Sequence, residues 1–310
     1  MIWPFGGAGG GILALYCATL ALHAGFVGYV VAGTAYALVR RDAVARDVRS
    51  RLPFMLGCGI TAGVAPLLFV QLLHQRRFYT ANLLLGPRWL AVVPALVAGF
   101  YGLYLAKSSE RWRRPALAVA FACFAFVAWS WSELHELMAA EPVWRAFYAA
   151  GERLYTGGMI APRLVVIAGA MATMFALVAA WSADAAGRAR LAWIAAAGRV
   201  VSIGGAIWLW RAGYALEGPA RGWFGLLAAA AVIDLGAWLA VARRRSERWL
   251  MVATAAGTAA LGAAVVVREA PRVALIEASP PVAGGTIVFA VALALGAAAI
   301  AWVVHVVRAP

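Results

Sequence analysis

Polar side chains collect at two places in an otherwise apolar sequence. Gln71, His74, Arg77 and Tyr79 close one long apolar stretch, with Gln75, Arg76 and Asn82 among them, and Glu133, His135 and Glu136 close another. Histidine and carboxylate side chains at a membrane interface can accept protons and hydrogen-bond the two oxygens of a quinol headgroup. Gln71, His74, Arg77, Tyr79, Glu133 and His135 are therefore candidates for a quinone site. The same residues also suit an ordinary polar rim at the ends of two helices, and composition leaves both readings open.

Three more ionisable groups fall deep inside apolar stretches, where charge is costly and usually functional. Arg199 and Asp234 each lie about eight residues from the same end of consecutive stretches, which places both about 12 Å deep at a helical rise of 1.5 Å per residue. Opposite charges at one depth on antiparallel neighbours predict an ion pair, either a structural one or part of a proton route. His23 stands near the middle of the first stretch. A buried histidine is the common axial ligand of a membrane haem b; the other reading is a histidine bonded to a neighbouring helix.

The elements that must position these groups follow from hydropathy. A bilayer core takes about 20 apolar residues of helix, and nine such stretches occur near residues 12–39, 52–73, 89–106, 116–132, 164–181, 191–210, 223–242, 249–267 and 284–307. With 65% hydrophobic and 13% charged residues, the chain lies outside the range of soluble domains. The expected fold is all-α: one integral membrane bundle of nine transmembrane helices spanning residues 1–310. No polar linker long enough to separate two domains interrupts it.

A net charge of +14 invites a nucleic-acid reading, and the distribution of that charge argues against it. Alternate loops (40–51, 107–114, 184–190, 243–248 and the C-terminal Arg308) hold sixteen basic residues against five acids, whereas the intervening loops hold ten against seven. Short loops rich in Arg and Lys stay cytoplasmic. This pattern predicts an outside N-terminus, a cytoplasmic C-terminus and contacts with anionic membrane lipids, in a bacterial cytoplasmic (inner) membrane. The longest outer segment, about 133–163, contains Glu141-Pro142, which suits a helix start. Trp144, Phe147, Tyr148 and Tyr155 then recur at helical spacing. This predicts an amphipathic helix over 141–156 lying on the outer surface, with a plain structured loop as the other reading. Cys17, Cys58 and Cys123 lie within apolar stretches without a CxxC spacing, which supports neither attached c-type haem nor a zinc or iron–sulfur cage.

Three segments resemble subunit I of the cytochrome bd-type quinol oxidases. Ala21-Leu-His23-Ala-Gly-Phe is similar to that family's histidine-bearing first helix. Gly63-Val-Ala-Pro-Leu-Leu-Phe-Val-Gln71-Leu-Leu-His74, running into Phe78-Tyr79 and Gly86, resembles its second helix and outer loop, and Pro162–Met171, closing at Ala180-Trp181, its fifth helix. The resemblance spans about residues 12–181. It implies nine spans with an outside N-terminus, quinol oxidation on the outer side, and His23 as a haem ligand.

The sequence departs from that family at several points. Leu164–Ala168 carries no second histidine, and the loop between the sixth and seventh stretches shrinks to Arg211–Gly222. There the family's Gly-Arg-Gln-Pro-Trp signature is replaced by Gly218-Pro-Ala-Arg-Gly-Trp223. Oxygen reduction is not expected. The leading expectation is a haem-poor membrane subunit of a respiratory complex, exchanging electrons between the quinone pool and partner subunits. Those partners would be other membrane subunits and an outer cytochrome c or iron–sulfur protein. The alternatives are a redox-inactive anchor in such a complex and a small-solute transporter, the latter without visible inverted repeats.

Overall fold

The computed structural model describes residues 8–214, 220–244 and 247–276, with single helical positions at 291, 294 and 298. Among these residues there are helices and turns and no strand. The α-helices are α1 (Ala8–Val39), α2 (Ala43–Leu73), α3 (Gln75–Leu85), α4 (Pro87–Leu90), α5 (Val92–Ser108), α6 (Arg113–Leu137), α7 (Trp144–Ala149), α8 (Ile160–Ala179), α9 (Ala185–Arg211), α10 (Ala220–Arg244) and α11 (Glu247–Glu269). Short 3-10 turns cover Glu141–Val143 and Ala270–Leu275.

Eight segments among the described residues are long and apolar enough to cross a membrane: α1, α2, α4 with α5, α6, α8, α9, α10 and α11. This is a multi-pass membrane protein. The ninth expected stretch, 284–307, lies outside the described residues apart from the three single positions.

The helices pack as consecutive hairpins, α1 with α2, α5 with α6, α8 with α9 and α10 with α11, and α1 also touches α6, α8 and α11. Arginines gather in the α1–α2 and α5–α6 turns, on the first turns of α2, α6 and α9 and at the end of α10, so one end of the bundle is arginine-rich and the other bears the longer connections. Aspartates start two helices at the arginine-rich end. Asp42 accepts the Ala45 amide at 2.9 Å and Asp184 the Gly187 amide at 2.6 Å, each filling an otherwise unpaired donor of the first turn. Asp42 also accepts the Tyr36 hydroxyl at 2.8 Å and pairs with Arg190, which ties α1, α2 and α9 together. Because of this cap α2 begins at Ala43 rather than near residue 52, and the arginines expected in a loop ride on its first turns.

The expected amphipathic helix over 141–156 is shorter than its spacing implied. A 3-10 turn leads into α7, which ends at Ala149, and Gly151 then takes φ +66°. Beyond it the backbone is irregular, and the Tyr155 amide bonds the Glu133 carboxylate at 3.0 Å. That long-range bond replaces another helical turn.

Candidate functional site

The polar residues that end α2 and α6 sit at the end opposite the arginine-rich turns, and they separate into three groups. Ser130 and Ser132 turn their hydroxyls back onto the Phe126 and Ala128 carbonyls, both at 2.8 Å, so this part of α6 satisfies itself. Glu133 and His135, one residue apart across Leu134, then project to opposite sides of the helix because each residue advances about 100°.

Glu133 is fully buried, pairs with Arg88 of α4 and accepts the Tyr155 amide. The Arg88 guanidinium lies 4.8 Å from the centre of the Trp129 ring, a cation–π distance. Glu136 is on the same side and accepts the Met159 amide at 3.4 Å, leaving its second oxygen unpartnered.

On the other side His135 enters a nest built around Glu269, the last residue of α11. Arg272 donates to Glu269 Oε2 at 2.8 Å, Arg268 Nη1 lies 3.0 Å from Oε1, and the Tyr16 hydroxyl donates to Oε1 at 3.4 Å. Arg268 Nη2 is 3.1 Å from His135 Nδ1, and His135 Nε2 is 3.4 Å from Glu269 Oε1. Arginine only donates. The His135 Nδ1 is therefore the acceptor and the ring proton belongs on Nε2, which lies 3.4 Å from the carboxylate without a hydrogen bond to it. Glu269, Arg272 and His135 are all buried, at 1%, 5% and 5% exposure. A buried carboxylate with two guanidinium partners stays ionised, since each charge offsets the other's desolvation.

His74, buried at the α2–α3 junction, completes this group. It donates to the Leu275 carbonyl and lies within electrostatic reach of Glu269 and Arg272. Burial lowers its pKa from the ordinary 6.5, and the Arg272 and Arg77 charges add to that, so it is neutral at pH 7. Three residues before it, Gln71 accepts the Tyr79 hydroxyl at 3.1 Å on the exposed flank of the bundle.

Arg77 belongs to the third group. With Arg76 it grips Glu141, at 2.7 and 2.8 Å, and it also donates to the Met138 carbonyl at 3.3 Å. Both guanidiniums lie about 6 Å from the Trp144 ring centre, 6.0 and 5.8 Å. This clip holds the connection after α6 onto α3. The Arg76 hydrogen bond, with further help from Arg77, keeps the Glu141 carboxyl below its usual pKa.

Of the six quinone-site candidates, then, His74 and His135 come together around Glu269, and Gln71 joins Tyr79 beside them. Glu133 and Arg77 go elsewhere. Sequence reasoning missed Glu269, Arg268, Arg272, Tyr16 and Arg88. The signal available was the pairing of Glu269 with Arg272 three residues on, at the end of an apolar stretch; Tyr16 carried none.

The other two expectations concern separate places. Arg199 Nε donates to Asp234 Oδ2 at 2.8 Å, a buried pair between α9 and α10. Asp234 Oδ1 has no partner and faces Gly257 of α11, where an added Cβ would stand 3.1 Å away. His23 Nδ1 donates to the Gly59 carbonyl at 2.9 Å, and its ring fills the notch left by Gly63, where a Cβ would come within 2.8 Å of ring atoms. A bond from Nδ1 to a backbone carbonyl is made by a metal-ligating histidine and by a packed one alike, so this geometry fits both readings of His23. Among the described residues no three His, Cys, Asp or Glu side chains are grouped to hold a metal.

No model of a known protein family matches the chain, and no curated protein does. The site therefore has to be read from its own geometry.

Proposed function

We propose that the chain is the membrane subunit of a respiratory electron-transfer complex. In this reading it handles quinol at the end opposite the arginine-rich turns, and that end faces outward from a bacterial cytoplasmic membrane. One observation carries it: His74, His135 and the Tyr16 hydroxyl gather around one buried carboxylate, Glu269, at the end of the helices. Quinol oxidation releases two protons and two electrons. Tyr79, exposed on the flank, and the half-buried Gln71 bonded to it can hydrogen-bond a headgroup arriving from the bilayer. His74, neutral and three residues away, can take one proton from it, and the second leaves to water at the outer face. The guanidiniums of Arg268 and Arg272 favour a quinol oxygen as it loses its proton. The two electrons go to a partner subunit carrying haem or an iron–sulfur centre. The positive-inside distribution of arginines supports the outward placement.

The test is quinone binding to the protein in lipid nanodiscs, followed by quenching of tryptophan fluorescence. His74→Asn and Glu269→Gln should each weaken a quinone analogue about ten-fold or more, the scale of a hydrogen bond involving a charged or buried group. Tyr79→Phe, at an exposed position and with no folding burden, should weaken it about three- to ten-fold. Unchanged affinity in Tyr79→Phe and His74→Asn variants that remain folded would leave the quinol reading without a site.

A further inference from the structure

The arginine-rich end holds a second constructed feature, independent of the quinol reading. The α1–α2 turn and the start of α2 supply Arg41, Arg46 and Arg49, and the α5–α6 turn and the start of α6 supply Arg111, Arg113 and Arg114. Contacts of α2 with α5 and of α1 with α6 bring the two turns side by side, leaving a hollow of about 520 Å³ lined by these six arginines. Glu110 is the one carboxylate in the lining. It is engaged by Arg49 and, at 3.6 Å, by Arg113. Arg113 is further fixed by the Ala37 carbonyl at 3.0 Å and the Arg40 carbonyl at 3.3 Å, so it builds the floor. Arg41, Arg111 and Arg114 are exposed at the rim. Six guanidiniums around one carboxylate call for an anion, and the planar guanidinium fork matches phosphate oxygens.

A second hollow identifies what carries that anion. On the membrane-facing side of the α5–α6 hairpin runs an apolar groove of about 640 Å³, lined by Tyr101, Gly102, Leu105, Trp112, Ala116 and Val119 among others. Its floor is backbone: a Cβ at Gly102 would come within 3.1 Å of the Ala116 carbonyl oxygen. The groove ends at Trp112, and the Arg111 guanidinium, which lines the first hollow, lies 5.6 Å from the Trp112 ring centre. Charge and grease therefore meet at a tryptophan, the residue that favours the headgroup level of a bilayer. A free phosphate would use only the first hollow, whereas a phospholipid uses both.

We propose that this corner of the protein is a binding site for an anionic phospholipid. The phosphate sits among Arg41, Arg46, Arg111 and Arg114, and one acyl chain lies along the α5–α6 groove. Basic pockets between helices on the arginine-rich side of a membrane protein are suited to such headgroups.

The experiment titrates delipidated protein in detergent with phosphatidylglycerol, phosphatidylcholine or inorganic phosphate and follows the thermal midpoint. Phosphatidylglycerol should raise the midpoint saturably, with little response to the other two at equal concentration. Arg111→Gln and Arg114→Gln should each weaken phosphatidylglycerol about five-fold, the effect of one basic residue near an anionic surface. Arg145→Gln, exposed at the opposite end, should leave it unchanged. Ala98→Phe, an exposed position lining the groove, should weaken the long-chain lipid and spare its dihexanoyl analogue. Inorganic phosphate reproducing the full shift would make this a phosphate site and overturn the lipid assignment. So would equal stabilisation by phosphatidylcholine, or wild-type affinity in the double Arg111→Gln, Arg114→Gln variant.

Discussion

His74 is where the chemistry of the site is most exposed to measurement. Its neutral ring is held inside the protein by burial, with Arg272 and Arg77 opposing a proton and Glu269 and the Leu275 carbonyl favouring one. Its folded pKa lies below the ordinary 6.5, so below pH 6.5 the unfolded chain takes up a proton that the folded chain resists. The contribution of His74 to stability is complete above that pH and drains as pH falls toward the folded value, at up to about 1.4 kcal/mol per unit. The thermal midpoint should therefore fall between pH 7 and pH 5.5, and His74→Gln should flatten the slope over that window. An unaltered slope in the variant would assign the pH response to another group. The sequence offered His74 as a polar residue ending an apolar stretch. It could not offer Glu269, which reaches it from another helix at the far end of the chain.

At the scale of elements, small residues show what periodicity can and cannot give. Glycines recur in the second, sixth and eighth apolar stretches, and such residues permit close helix approach. The fold uses some of them. A Cβ at Gly198 of α9 would lie 2.7 Å from the Gly169 carbonyl oxygen of α8, and one at Gly205 would lie 2.8 Å from the Val166 amide nitrogen. Gly57, Gly204 and Gly262 have nothing within 4 Å. An evenly apolar helix gives no signal of which side meets a neighbour, so the sequence marked the glycines but not their partners. Gly198→Leu should force α8 and α9 apart, displace the adjacent Arg199 and cost about 1–3 kcal/mol of stability, the scale of overpacking. Gly204→Leu, six residues on, should cost almost nothing. Denaturation by sodium dodecyl sulfate of both variants in mixed micelles compares them directly. The connection after α6 teaches the complementary lesson: aromatic spacing implied a helix to residue 156, yet Gly151 and the Tyr155–Glu133 bond end it early.

For the whole molecule the open quantity is direction across the membrane. With Cys17, Cys58 and Cys123 replaced, a membrane-impermeant maleimide should label Tyr148→Cys in intact cells, because Tyr148 is exposed on α7 at the end read as outward. Ser109→Cys, in the arginine-rich α5–α6 turn, should react only after lysis. The reverse labelling would put the Glu269 nest on the cytoplasmic side and remove the outward site from the proposal.

The sequence by itself determined that this is a multi-pass helical membrane protein with arginines gathered on alternate turns. A hydrocarbon layer demands a long uninterrupted apolar segment for every crossing, and turn charge is a local property of composition. It also placed Arg199 and Asp234 at one depth, because helical rise is fixed. Only the tertiary structure decided which polar groups share a nest. Glu133 and His135 are nearly neighbours in the chain, yet rotation about α6 sends one to Arg88 and the other to Glu269. That choice depends on how α6 is turned against α3, α4 and α11, and packing sets the turn where the apolar pattern is uniform around the helix.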